Sequence, residues 1–340
     1  MTAQFPTLKF LIPVQQKTHY AIAMNHYFPP KKIPPINRDP QPLPALPADS
    51  SAGGAVWLER VPPLLLPYVL LMRLDRPVGF WLLAFPCWWG LALGGNLQVE
   101  NYLLFLLGAI VMRGAGCTLN DIIDRELDAT VERTRNRPLP AGMISVSQAA
   151  FFMLLQLGLG LLVALYFGRL VVILALAIMV VVVAYPYMKR ITWWPQIFLG
   201  LAFNWGAVLG FVVATGSVTV ATILLYVAGV FWTVGYDTIY AHQDREDDRL
   251  VGIRSTALMW GADSKWQIGV CYGAASLLLL AAALAANHGT AALVAVALVS
   301  LHFCWQVAGL QVHNPQDCLM RFRSNRWIGW IVTLGLLINH

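Results

Sequence analysis

Acidic residues in this chain fall into two short stretches with a regular spacing. Of seventeen Asp and Glu residues, five lie between Asp121 and Glu132 and five between Asp237 and Asp248. In the first stretch Asn120, Asp124 and Asp128 recur at i, i+4 and i+8, which on a helix places three oxygen-bearing side chains within about 80° of one another. Asp121 and Glu126 point elsewhere. In the second stretch Asp237, Tyr240, Asp244 and Asp248 again fall within about 80° on a helix, with Glu246 and Asp247 off that stripe.

Carboxylates stacked on one helix face repel and cost helix stability. Such a pattern makes sense where a cation neutralises them. An all-oxygen set suits Mg²⁺, which typically uses one or two carboxylates together with substrate phosphates and water. The chemistry expected is therefore capture of a diphosphate through Mg²⁺, with basic residues completing the neutralisation. Lys189, Arg190, Arg133, Arg135 and Arg137 are expected on the same face. Solvated loop ends would explain any one of these Asp residues but not two periodic stripes. A transporter would place ionisable residues near the middle of its spans, whereas here the apolar runs are nearly free of charge.

The elements that must position these stripes are membrane helices. Hydrophobic residues make up 58% of the 340 residues and charged residues only 12%, about half the charge of a soluble domain; the mean hydropathy is +0.62. Apolar runs close to the roughly 20 residues that cross a bilayer occur near 78–96, 101–119, 148–167, 170–188, 197–215, 219–239, 266–286, 290–310 and 326–339. Nine spans are expected, the last one short. If the N-terminus is inside, the inner connections are 112–148, 189–196, 240–266 and 311–326. Of the twenty-three Lys and Arg residues, only Arg169 then falls outside, as the positive-inside rule requires. Orientation thus explains the net charge of +6, and no nucleic-acid partner is expected.

Residues 1–67 form a proline-rich stretch, clustered from Pro29 to Pro47 and again at Pro62, Pro63 and Pro67, expected to be a disordered tail. Residues 68–340 form the multi-pass domain. Residues 1–37 contain no Arg, so a mitochondrial leader is not favoured. Five cysteines without CxxC spacing indicate neither a zinc site nor a disulfide framework. Trp88, Trp89, Trp193 and Trp194 read as interfacial belts.

At Asn120–Asp128 the sequence resembles the UbiA superfamily of intramembrane prenyltransferases, matching its NDxxDxxxD motif, and Asp244–Asp248 matches its second DxxxD, with Tyr240–Asp244 as the overlapping YxxxD. Within it the chain is similar to the 4-hydroxybenzoate polyprenyltransferases of ubiquinone biosynthesis, on the strings Arg73–Gly79, Arg113–Thr118, Arg133–Leu139, Tyr185–Arg190 and Gly252–Ala257. The resemblance implies an all-α fold of nine transmembrane helices around a central cavity. It also implies Mg²⁺ dependence, with polyprenyl diphosphate and 4-hydroxybenzoate as substrates. Asn120, Asp124, Asp128, Asp244 and Asp248 would be the metal ligands, and Arg137, Lys189, Arg190 and Tyr240 would contact the diphosphate. The acceptor's carboxylate needs a cationic or donor partner, for which Arg76 is the first candidate and Asn204, a polar group in an apolar span, the second. No obligate protein partner is evident. The expected location is the bacterial inner membrane with the active end cytoplasmic; the mitochondrial inner membrane is the alternative. Acceptors such as haem, naphthoate or chlorophyll precursors are the competing possibility.

Overall fold

A computed structural model describes residues 57–131 and 134–338, and among them every regular element is helical. Most of the expected tail, and Arg133, lie outside the described residues. Its last eleven residues do not: Leu58 is buried, and a short helix α1 (Leu66–Leu71) follows. The described helices continue as α2 (Val78–Leu93), α3 (Val99–Asp128), α4 (Val146–Phe167), α5 (Arg169–Ile191), α6 (Pro195–Thr215), α7 (Val220–Ala241), α8 (Arg245–Val251), α9 (Thr256–Trp260), α10 (Ser264–Ala285), α11 (Thr290–Ala308) and α12 (Pro315–Leu337).

Seven of these stretches are long and apolar enough to cross a membrane. Two expected spans fall outside that set: α2, with 16 residues, and α12, with 23 residues but Arg321, Arg323 and Arg326 in its first half. The expected ninth span is thus the apolar end of a longer helix. Its polar start is anchored, because Arg321 Nη1 donates to the Trp305 and Gln306 carbonyls at the end of α11, both at 2.8 Å. Lipid-facing surface is evident on α4 and α5, where Leu162 is 63% and Val180 75% exposed; apolar side chains so exposed require an apolar solvent.

Helix α3 explains how the first acidic stripe leaves the membrane. Its 30 residues are about 45 Å long, against a hydrocarbon core of about 30 Å, so the helix is long enough to span the apolar layer and still carry the polar end Asn120–Asp128. Capping boxes fix where neighbouring helices begin, Ser145 with Gln148 on α4 and Thr219 with Thr222 on α7, each satisfying two otherwise orphaned backbone donors. Helices α2 and α6 cross closely. A Cβ at Gly90 would strike the Ala207 carbonyl, and one at Gly210 the Cys87 carbonyl, the small-residue contact of membrane helices. Helix α12 packs back on α2, which also packs against α3 and α6, while α4 and α5 complete the circuit by packing between α3 and α6.

Trp88 and Trp89 differ from expectation: both are buried, and their indole N–H groups donate to Tyr102 and Gly329 carbonyls. In α2 the apolar residues are needed for the core, where the Trp89 ring packs at a tilt against Trp232. Trp193 and Trp194 are exposed, as a belt position requires.

Candidate active site

The first motif is one continuous helical stripe, as its spacing predicts. Asp124 is 3% exposed and is met by two cations from the end of α5: Arg190 Nη2 at 2.9 Å, and Lys189 through a direct ion pair. Asp128, one turn on, accepts from Arg137 Nη1 at 2.8 Å. Arg137 stands in the turn after α3, held by a backbone bond from its N–H to the Thr134 carbonyl. Asn120, one turn before Asp124, has a buried Oδ1 with no hydrogen-bond partner. The expected basic residues Lys189, Arg190 and Arg137 therefore do meet the first stripe.

The second motif is not one continuous helix. Helix α7 stops at Ala241, a 3₁₀ turn covers His242–Asp244, and Asp244 stands at the N-cap position of α8. Three acids, Glu246, Asp247 and Asp248, follow in the sequence. Negative charge favours a helix start and opposes a helix end, so the sequence that was expected to continue one stripe instead opens a new helix. Asp244 and Asp248 are half-buried. Tyr240 packs its ring on Phe322, centroids 4.6 Å apart.

The end of α5 ties this second segment to the first. Arg254 N–H donates to the Lys189 carbonyl at 2.8 Å, and Arg254 Nη1 to the Ile191 carbonyl at 2.7 Å. The residue that presents cations to Asp124 is thus bonded to the connector that follows the second motif.

Beneath the first stripe lies a cavity of about 460 Å³ between α2, α3, α4, α5 and α6. Its wall is apolar and aromatic, with Phe105, Phe167, Phe203 and Tyr185, and its mouth includes Asn120. One charged residue lines it, Arg113. Its guanidinium lies 5.3 Å from the centre of the Phe203 ring, and its Nε–H is buried without a partner. Arg113 was counted by sequence with the loop charges of residues 112–148; the structure places it inside α3 instead. The available signal was its spacing: Arg113 precedes Asn120 by seven residues and so shares the acidic stripe's face.

Neither acceptor candidate from the sequence lines this cavity. Asn204 is 1% exposed, and its Nδ2 donates to the Gly200 carbonyl at 2.9 Å and to Thr233 Oγ1 at 2.8 Å. That geometry ties α6 to α7. Arg76 Nε donates to Asp75 Oδ2 at 2.9 Å, just before α2. Sequence reasoning also passed over Arg73, whose Nη2 donates to both oxygens of Asp121, at 2.6 and 2.8 Å.

The donor set suits a hard divalent cation. Asn120 offers an unpartnered oxygen on the same face as Asp124 and Asp128, and all three are oxygen donors. Among the described residues no three His, Cys, Asp or Glu side chains converge into a cage. Few protein ligands are needed where substrate phosphates supply the rest, as Mg²⁺ sites commonly arrange.

Comparison with known proteins agrees with this geometry. The chain belongs to the UbiA prenyltransferase family, whose model matches residues 83–329. It is 46% identical over 279 residues to the mitochondrial 4-hydroxybenzoate polyprenyltransferase of Drosophila melanogaster, covering 80% of this chain and 71% of the relative. It is 44% identical to the human protein of the same name, covering 85% and 80%. With the Aedes aegypti protein of that name it shares 45% identity, and the match spans 63% of the mosquito protein's length. A UbiA homologue from Aeropyrum pernix has the same fold, with a TM-score of 0.66 at 23% identity, covering 76% of this chain and 97% of that one. So does a homologue from Archaeoglobus fulgidus described as bound to DMAPP and Mg²⁺, at 0.60 and 19%, covering 80% and 99%.

Proposed function

We propose that this chain transfers a polyprenyl group from its diphosphate to the ring carbon ortho to the hydroxyl of 4-hydroxybenzoate. The observation that carries the reading is the junction of an ion-paired acidic stripe with an apolar cavity that holds a single cation. The stripe suits a diphosphate, the apolar wall a prenyl chain, and Arg113 an aromatic carboxylate. The names of the relatives support the acceptor, and the DMAPP and Mg²⁺ complex of a homologue supports the donor.

Asn120, Asp124 and Asp128, with Asp244 and Asp248 from the second segment, would hold Mg²⁺. Once bound, the metal neutralises the diphosphate and stabilises the charge that develops on it as a leaving group. Lys189, Arg190 and Arg137 hold the phosphate oxygens and orient the allylic C–O bond towards the cavity; Tyr240 adds a hydroxyl donor. As that bond breaks, the allylic carbon becomes cationic. Phe105, Phe167, Phe203 and Tyr185 keep water away from it and offer ring faces to it. Arg113 binds the acceptor's carboxylate and turns the ring so that its ortho carbon meets the allylic carbon. The new C–C bond forms, and the ring proton passes to the departed diphosphate, which left with the electron pair of the C–O bond. Stabilisation of the departing diphosphate is the largest catalytic contribution expected.

The relatives carry mitochondrial names, which favours the mitochondrial inner membrane over the bacterial one. We place the basic connections and the acidic stripes on the matrix side. The experiment offers purified enzyme a prenyl diphosphate, Mg²⁺ and each of 4-hydroxybenzoate, dihydroxynaphthoate and haem. Mass spectrometry should find prenylated product with 4-hydroxybenzoate; product with another acceptor alone would assign a different branch of the family.

A further inference from the structure

Asp121 belongs to the first motif but points away from the Asn120–Asp124–Asp128 stripe, and it is 1% exposed. Behind it stands Arg73, at the end of α1. The Arg73 N–H donates to the Leu70 carbonyl at 3.1 Å, and the Leu74 N–H to the Val69 carbonyl at 3.3 Å. This is a Schellman cap, in which the residue at the left-handed position is usually glycine. Here it is an arginine with φ of 55°. Its side chain holds it there: Nη1 donates to the Leu70 carbonyl at 3.0 Å, and Nη2 to both Asp121 oxygens.

Asp121 also reaches the other way. Arg137 Nη1 lies 3.4 Å from Asp121 Oδ1 and 2.8 Å from Asp128 Oδ2. One nitrogen thus sits between a buried carboxylate and a carboxylate of the acidic stripe. Asp121 divides a single negative charge between two guanidiniums, so it anchors Arg137 while neutralising it only in part.

We propose that Asp121 is a positioning residue: braced by Arg73, it holds Arg137 at the edge of the stripe in the place where Arg137 meets the diphosphate. The inference rests on the prenyl-diphosphate reading of the site and deepens it. When Asp128 turns to the metal, Arg137 remains fixed by Asp121 and its charge is directed to the phosphate oxygens. Arg suits this because its planar guanidinium presents several donors in a fixed plane, whereas Lys is a point charge.

The test is binding of geranyl S-thiolodiphosphate with Mg²⁺ to the full chain purified in detergent, with turnover measured separately. Asp121→Asn should weaken binding about tenfold, the equivalent of one charge-assisted hydrogen bond. Arg137→Lys should weaken it as well, and the double variant should bind no worse than Arg137→Lys alone, because both changes act on one interaction. Effects that multiply would overturn the proposal. Asp121→Asn leaves the buried Arg73 charge uncompensated, so Arg73→Met with Asp121→Asn serves as the folding control. That pair should recover thermal stability yet still bind about tenfold more weakly; parent-like affinity in it would reduce Asp121 to a counter-ion for Arg73 and overturn the proposal. Absence of prenylated product from the parent would count against the functional reading, while the binding arms still decide the role of Asp121.

Discussion

Asp124 is the residue on which the proposed donor chemistry turns, since it is buried and meets both Lys189 and Arg190. Replacing it by Asn removes a charge and keeps the shape. Transfer should fall by about a hundredfold or more, the scale on which losing one preorganised electrostatic group acts, while the protein still folds. Turnover of the purified variant, beside its thermal unfolding, checks this; near-parent activity would remove the first motif from the mechanism. Arg113 makes the complementary prediction. Arg113→Gln should raise the KM for 4-hydroxybenzoate by about tenfold or more, the value of a charge-assisted hydrogen bond, and leave affinity for the prenyl diphosphate unchanged. An effect on the donor instead would move Arg113 to the diphosphate. Charge counting grouped Arg113 with the loop charges because it sits near the boundary of an apolar run, although its spacing from Asn120 placed it on the stripe's face; the structure puts it in the middle of a helix. Asn204, a polar residue in an apolar span, donates from Nδ2 to the Gly200 carbonyl and Thr233 and so links α6 to α7.

At the scale of the elements, periodicity gave α3 its stripe correctly because the helix is uninterrupted from Val99 to Asp128. It failed at the second motif, where the same arithmetic assumed a helix through residues 242–244. Spacing cannot register that a run of acids starts a helix more readily than it ends one. The α2–α6 crossing was also invisible, since glycines matter there only for what lies opposite. Gly210→Val would push a branched side chain into the Cys87 carbonyl. The cost expected is about 1–3 kcal/mol, that of an overpacked core, read as a lower unfolding temperature in detergent; an unchanged temperature would mean that the crossing is looser than described. Ser145→Ala, which removes one half of the α4 capping box, should cost about 1 kcal/mol and leave the affinity for both substrates intact.

For the whole molecule, composition and apolar runs were enough to give an all-helical membrane protein. Connections expected on one face are joined by contacts: Lys189 and Arg190 to Asp124, Arg254 to the end of α5, and Arg137 to Asp128. The opposite end carries a different set, with Tyr166 donating to Glu100 and His288 meeting the Leu93 carbonyl. The resemblance implied a central cavity, but its wall was not legible from the residues, because it is assembled from five successive helices and no single run announces it. The central claim joins these scales: acidic stripes, cations and cavity act together on a prenyl diphosphate and an aromatic acid, through a divalent cation. The most direct measurement incubates membranes holding the chain with a polyprenyl diphosphate, Mg²⁺ and ring-labelled 4-hydroxybenzoate, then extracts lipids. Label should enter a lipid-soluble product, stop entering it when the metal is chelated, and resume when Mg²⁺ is restored. Transfer that continues at full rate in the chelator, or no labelled lipid at all with Mg²⁺ present, would contradict the account.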